Sequence, residues 1–394
     1  MSLHPVPAHA VGETAGEILE RLGSEDPDLL VCFASPHFVG ALDDMVHAMR
    51  NVLDPSVLLA VTVGAVIGDA REVEDGPGLA VFAARLPDAR LTPVALRVEE
   101  TPDGAAVVGW PDLDGTPETL FLLADPFTFP LDSFLRRLND DRPGLTVIGG
   151  CASAATRPGG HGLALDDRVV ADGAVGVFLE GAGVRTIVSQ GARPVGQPLV
   201  VTRSDGSFVQ ELAGQPALDR LREVAETVSD QERQLLQRGL HLGIVIDEHG
   251  TDFGPGDFLV RNVIGADRDT GAIAVGDRVA VGQTVQFHVR DAVAADEDLR
   301  ALLTGADGHG ALLFTCNGRG RDLFGTPDHD AGLVAELLGS VPAAGGFCAG
   351  EIGPVGGKNF LHSFTASIAL FPGGTGPREV QVPGSAETST TDAP

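Results

Sequence analysis

Ala311-Leu-Leu-Phe-Thr-Cys316, Asp330-Ala-Gly-Leu-Val-Ala-Glu-Leu-Leu338 and Val341-Pro-Ala-Ala-Gly-Gly-Phe-Cys-Ala-Gly-Glu351 decide how this chain folds. The first is a short apolar run of strand formers, the second is helix-like, and the third returns to an apolar strand that ends in a glycine-rich turn. Another strand-like run, 360–370, follows, so the order is β-α-β-β. That order recurs upstream in 119–125, 131–138, 145–153 and 173–179. It occurs a third time in 29–35, a helical pattern to about Val52, 57–68 with an internal glycine, and 78–84. Three copies point to internal duplication. The closest correspondence joins Gly149-Gly150-Cys151-Ala152 to Gly345-Gly346-Phe347-Cys348-Ala349.

A degenerate fourth copy without its helix is expected in 257–291, where 262–265, 271–275 and 285–291 read as strands between Asp/Gly turns. The helix-like stretches 216–228 and 230–238 connect or cover two halves. The expected fold is α/β: duplicated β-α-β-β units forming mixed sheets covered by helices, in two pseudo-related halves. A doubly wound dinucleotide fold fits less well, because the paired glycines follow the helix instead of opening it. The expected boundaries are an N-terminal segment 1–24, domains 25–215 and 216–372, and a disordered tail 373–394 rich in Gly, Pro, Ser and Thr.

At 394 residues the chain exceeds what one core usually supports, which suits two halves. Apolar residues make up 43% and charged residues 21%, enough for a packed interior. The net charge of -28 repels phosphate backbones, and no basic run offsets it, which argues against nucleic acid and anionic membrane as partners. Lys358 is the single lysine. No run approaches the roughly 18 apolar residues of a membrane span, and the N-terminus does not read as a signal peptide. Cys32, Cys151, Cys316 and Cys348 lack CxxC spacing and read as reduced thiols, which places the protein in the cytoplasm.

Glu351 sits in an apolar, glycine-rich setting where a carboxylate needs a partner, and Arg319, at the end of the preceding strand, is the expected one. Gly320 and Gly346 belong to the same two turns and allow close backbone approach. Cys316 and Cys348 read either as small hydrophobes or as a thiol nucleophile with His329 or His362 as base. Arg261 and the Arg290-Asp291 pair read as carboxylate clamps or as local ion pairs. The candidate ligand-binding set is therefore Cys316, Arg319, Gly320, Gly346, Cys348, Glu351, Arg261 and His362. No metal spacing, phosphate loop, GxSxG or HExxH is present, so no catalytic residue and no cofactor is assigned.

The ordered set Leu30-Val-Cys-Phe-Ala-Ser-Pro36, Gly149-Gly-Cys-Ala-Ser153, Arg193-Pro-Val-Gly196, Phe258-Leu-Val-Arg-Asn262, Phe287-His-Val-Arg-Asp291, Cys316-Asn-Gly-Arg-Gly320 and Gly350-Glu-Ile-Gly-Pro354 resembles the FIST family across about 25–372. The resemblance implies an intracellular sensory or signal-transduction module that binds a small ligand such as an amino acid or derivative. Relatives often carry output domains or an F-box, for which this chain has no room, so a stand-alone sensor with a possible signalling protein partner is expected. Other relatives bind haem. His37, His288 and His362 are chemically possible axial ligands here, although no CxxCH motif occurs. A thiol-dependent enzyme and a protein-interaction adaptor are the alternatives.

Overall fold

The computed structural model describes residues 1–373 apart from positions 24, 103, 114, 251, 252 and 255. Of the tail expected to be disordered, 373–394, all but Gly373 lies outside the described residues.

All three β-α-β-β units form. In the first, Leu29–Ala34 runs parallel to Val57–Thr62, and the helix Leu42–Leu53 crosses between them. Every side chain of both strands is buried, so continuous apolar runs rather than alternation specify them. The helix turns Met45, Val46, Met49 and Leu53 inward, a stripe at turn spacing that covers one sheet face. Leu79–Ala84 adds antiparallel to the first strand. The second unit repeats this with Thr119–Ala124, helix Leu131–Asp141, Thr146–Cys151 and Ala174–Glu180. The third does so with Gly310–Cys316, helix His329–Leu338, Ala343–Cys348 and Thr365–Phe371.

The units are interlocked by their hairpins. The stretch 57–68 does not continue as one strand: after Thr62 the chain leaves the first sheet, and Val66–Gly68 pairs with Ala343–Cys348 of the third. The hairpin Glu351–Val355/Lys358–His362 leaves the third unit and pairs with Thr146–Cys151 of the second. The hairpin Leu163–Leu165/Arg168–Val170 leaves the second and pairs with Val57–Thr62 of the first. Each unit thus completes its sheet with a hairpin donated by another, in a cyclic exchange. The three meet where Gly64 N–H donates to Ser153 Oγ (2.7 Å) and Ser153 Oγ donates to the Phe347 carbonyl.

The stretch expected to be a degenerate fourth copy is instead an antiparallel barrel. Ala192–Asp205, Thr284–Arg290, Leu240–Val245, Phe258–Ala266, Ile273–Val275 and Phe208–Leu212 pair in that order, and the last pairs back to the first. Val195, Leu242, Phe287 and Val289 fill its interior. The strand readings were sound, but adjacent antiparallel strands need no crossover helix, so its absence marks a different architecture. Helices Ala217–Thr227 and Asp230–Arg238 pack against barrel strands, the second opened by a capping box at Ser229 and Glu232. Helices Pro7–Leu22 and Ala292–Leu303, not foreseen from the sequence, cover the first and third units.

Candidate functional site

Parallel strands end where side chains and turns converge, and in open α/β sheets ligands bind at such carboxyl ends. In the third unit this end carries Cys316 and Cys348, which are direct register partners. The donated hairpin places Glu351 opposite Gly150, so its carboxylate enters the same interior as Cys151, Cys316 and Cys348.

Glu351 is wholly buried. Its Oε2 accepts hydrogen bonds from Thr365 N–H (3.2 Å) and Thr365 Oγ1 (2.9 Å). Its Oε1 has no nitrogen or oxygen partner, and the Cys316 thiol lies close enough to the carboxyl to favour its charged form by hydrogen bonding. Burial pushes the carboxyl up to about 8, against the Thr365 hydrogen bonds and the nearby Arg319 charge. An unpartnered buried oxygen costs about 1–3 kcal/mol and marks a place that a ligand group or water fills.

Arg319 is also wholly buried, but its partner is Asp330, which corrects the expected pairing with Glu351. Nε and Nη2 hold the two carboxylate oxygens at 2.7 and 2.8 Å. Helix His329–Leu338 brings Asp330 there on its first turn, a placement that only the folded unit reveals. This fork-to-fork contact holds Asp330 down at about 2 despite its burial, through Arg319 and His329. The third Arg319 nitrogen reaches the Phe364 carbonyl at 3.4 Å.

Arg290, read from the sequence with Asp291 as a carboxylate clamp or a local ion pair, keeps donor capacity beside Cys316. Asp291 instead caps helix Ala292–Leu303 and pairs with Arg193 at 2.9 Å. Arg290 donates to the Gly318 carbonyl and lies over the Phe364 ring at 4.6 Å, while its Nε is buried without a partner. Phe364 is held at φ 67°, a left-handed conformation that a bulky residue adopts only under constraint. Its other ring contact is His241, edge-on at 4.4 Å. Burial and the neighbouring Arg290 lower His241 to about 4, so it is neutral and its buried Nδ1 is unpartnered. Cys316, Gly318, Arg290 and Phe364 are only partly buried, whereas Glu351 is fully enclosed.

The remaining candidates have structural tasks. Gly346 faces the core: a Cβ there would stand 2.7 Å from Val63 and 3.1 Å from Phe33. Gly320, at φ 68°, opens the short turn Arg321–Phe324, and a Cβ would meet Glu74 and Phe347 at 2.9 Å. Arg261 ties barrel to hairpin, binding Asp277 at 2.9 Å and the Leu361 carbonyl at 2.7 Å. His362 Nε2 is engaged by the Gly353 carbonyl at 3.0 Å, and burial lowers the ring to about 4.

A thiol nucleophile finds no support in this geometry. Burial, with Glu351 behind it, pushes Cys316 up to about 12, and Cys348 is raised well above its ordinary value by burial. His329 is bound between Asp330 (2.9 Å) and Asp296 (3.0 Å), and His362 is engaged as above. Nor do the three histidines considered for haem form a set. His37 is exposed on the turn Pro36–Ala41, while His288 and His362 each bind a carbonyl through one ring nitrogen. Among the described residues no cluster of three His, Cys, Asp or Glu side chains suits a metal ion.

The pattern of the FIST N domain matches residues 28–215, and that of the FIST C domain matches residues 217–354. The chain belongs to the FIST family. An uncharacterized protein of Mycobacterium tuberculosis is 44% identical over 378 residues, covering 94% of this chain and 98% of its own length. An uncharacterized protein of Mycobacterium bovis is 43% identical over 374 residues, with 93% and 96% covered. FIST domains are sensory domains of signal transduction. In this FIST protein the boundary between the two matched segments falls inside the barrel, between Phe208–Leu212 and Leu240–Val245. No helix among the described residues is long and apolar enough to cross a membrane.

Glu351 gives the first expected result. A carboxyl whose folded value is about 8, against an ordinary 4.5, binds protons more tightly when folded. Its contribution to stability is full below about 4.5, declines as pH rises, and is gone above about 8. Glu72, raised to about 7 mainly by burial, acts in the same direction over a lower window. Glu351→Gln removes the upper part of the slope, so between pH 7 and 8.5 the urea midpoint of the variant is expected to fall much less than that of the wild type, with Glu72 leaving a small residual slope near pH 7. Equal slopes in the two proteins would show that Glu351 titrates normally.

Proposed function

We propose that this FIST protein is an intracellular sensor that binds a small zwitterion, an amino acid or a derivative, between Glu351 and Arg290. The observation that carries the reading is the unpartnered Oε1 of a fully buried Glu351, with the partly buried Cys316 feeling both the Glu351 and the Arg290 charge. A ligand amine takes Oε1 and displaces the carboxyl proton. A ligand carboxylate takes the Arg290 guanidinium, whose Nε has no partner in the free protein. Arg319 acts through position: locked on Asp330, it holds the Phe364 carbonyl and adds positive potential near Glu351. Phe364 is the cover, since its ring lies on Arg290 and its strained backbone favours a second conformation once a ligand competes for that guanidinium.

Calorimetry and thermal shift across amino acids, their decarboxylated amines and their deaminated acids test this. Saturable binding that needs both groups, and that Arg290→Met and Glu351→Gln each abolish, is the expected outcome. Equal binding of the deaminated acids would remove Glu351 from recognition. No saturation by any member of the panel would remove the reading altogether.

A further inference from the structure

A different cleft, away from Glu351, carries an independent inference. It lies where helix Leu131–Asp141 of the second unit, the donated hairpin and the barrel meet, and encloses about 310 Å³. That is the lower end of the range for small-molecule sites. Its apolar wall is Ile244, Val245, Leu259 and Phe360, with Arg136 and Lys358 also lining it. Ile244 and Val245 are nearly fully buried in the barrel wall, whereas Leu259 and Phe360 are partly open.

The charges are unevenly committed. Arg136 is held by Asp132 and lies 3.4 Å from Asp277. Lys358, the single lysine among 55 acidic and 27 basic residues, has no carboxylate within ion-pair distance among the described residues. It stands one residue past the Gly356-Gly357 turn, both glycines in the left-handed region at φ 58° and 77°, so a tight two-residue turn fixes it beside the cleft. Asp140 also lines the cleft, and Asp247 lies close enough to feel the Lys358 charge. An ammonium beside an apolar wall, with no carboxylate at ion-pair distance among the described residues, offers an anion local attraction on a protein of net charge -28 whose general field is repulsive.

We propose that this cleft binds the anionic head of a medium-chain aliphatic carboxylate at Lys358, with the chain laid along Val245, Leu259 and Phe360. The head remains hydrated on one side and meets the ammonium on the other, while the methylenes leave water. Each added methylene then strengthens binding about fourfold until the wall is covered.

The unique lysine makes the test direct. Reductive methylation with 13C-formaldehyde preserves its charge and gives one dimethyl-lysine NMR signal, separate from that of the N-terminal amine. Titration with butyrate, hexanoate and octanoate is expected to shift the lysine signal saturably, with tighter binding at each step. In unlabelled protein, Lys358→Arg is expected to keep octanoate binding and Lys358→Gln to weaken it about tenfold or more. Phe360→Ser is expected to flatten the chain-length series. A signal that octanoate leaves unmoved, or moves equally with butyrate, would overturn the proposal, as would undiminished octanoate binding by Lys358→Gln.

Discussion

Expressed separately, residues 1–215 and 216–372 are expected to show no cooperative thermal transition, and to recover one only when combined. The first piece lacks the hairpin Glu351–Val355/Lys358–His362, leaving the edge of Thr146–Cys151 unpaired. The second lacks Val66–Gly68 and Arg185–Gln190, the strands that flank its sheet on either side. It also lacks Ala192–Asp205 and Phe208–Leu212, without which the barrel stands open and Leu242, Val285 and Phe287 meet water. Near-ultraviolet circular dichroism and calorimetry of each piece, alone and mixed, check this. A cooperative melt from either isolated piece would show that the exchanged hairpins are ornaments on self-sufficient halves.

Arg319→Ala is the single substitution expected to do most damage. It leaves Asp330 charged and buried with His329 as its remaining hydrogen-bond partner, and breaking a buried pair from one side costs about 3–5 kcal/mol. The loss is expected in the urea midpoint at pH 7. Replacing both partners at once, Arg319→Met with Asp330→Leu, is expected to recover much of it, because no orphaned charge remains. If the double variant were as unstable as the single one, the damage would lie in lost packing around Phe324 and Phe364 instead of in the charge.

Much of this architecture was legible in the sequence, and the reason is local. Continuous apolar runs such as Leu29–Ala34 and Gly310–Cys316, each followed by a helical stripe, announce parallel strands and their crossovers without knowledge of the rest. What stayed hidden is non-local. Nothing in the residues of Val66–Gly68 says that its partner is Ala343–Cys348, almost three hundred positions away, because hairpins of similar pattern compete for every such edge. The barrel was misread for the same reason: its strands were visible, but their closure through Ala192–Asp205 was not.

The site divides along the same line. Glu351 stood out because a carboxylate among Gly, Ala, Ile and Cys has no local partner, and it is buried with one oxygen unmet. Arg319 pairs not with Glu351 but with Asp330, at a helix start that also carries Asp328, so the sequence alone does not single the partner out. For Arg290-Asp291 the sequence leaves a carboxylate clamp and a local pair both open; the local pair does not form, because strand and helix send the two side chains to different partners. The strain at Phe364 has no sequence signal, since Ser363-Phe364 looks like ordinary strand.

The most direct test of the account couples ligand to proton. At pH 7 a Glu351 carboxyl raised to about 8 is mostly protonated, so an amine that binds its carboxylate must expel that proton. Calorimetry of an amino acid that saturates the protein, repeated in buffers of different ionisation enthalpy, is predicted to report release of about one proton per ligand at pH 7, falling toward zero by pH 9. Saturable binding with no proton released at pH 7, or with the same release in Glu351→Gln, would contradict it.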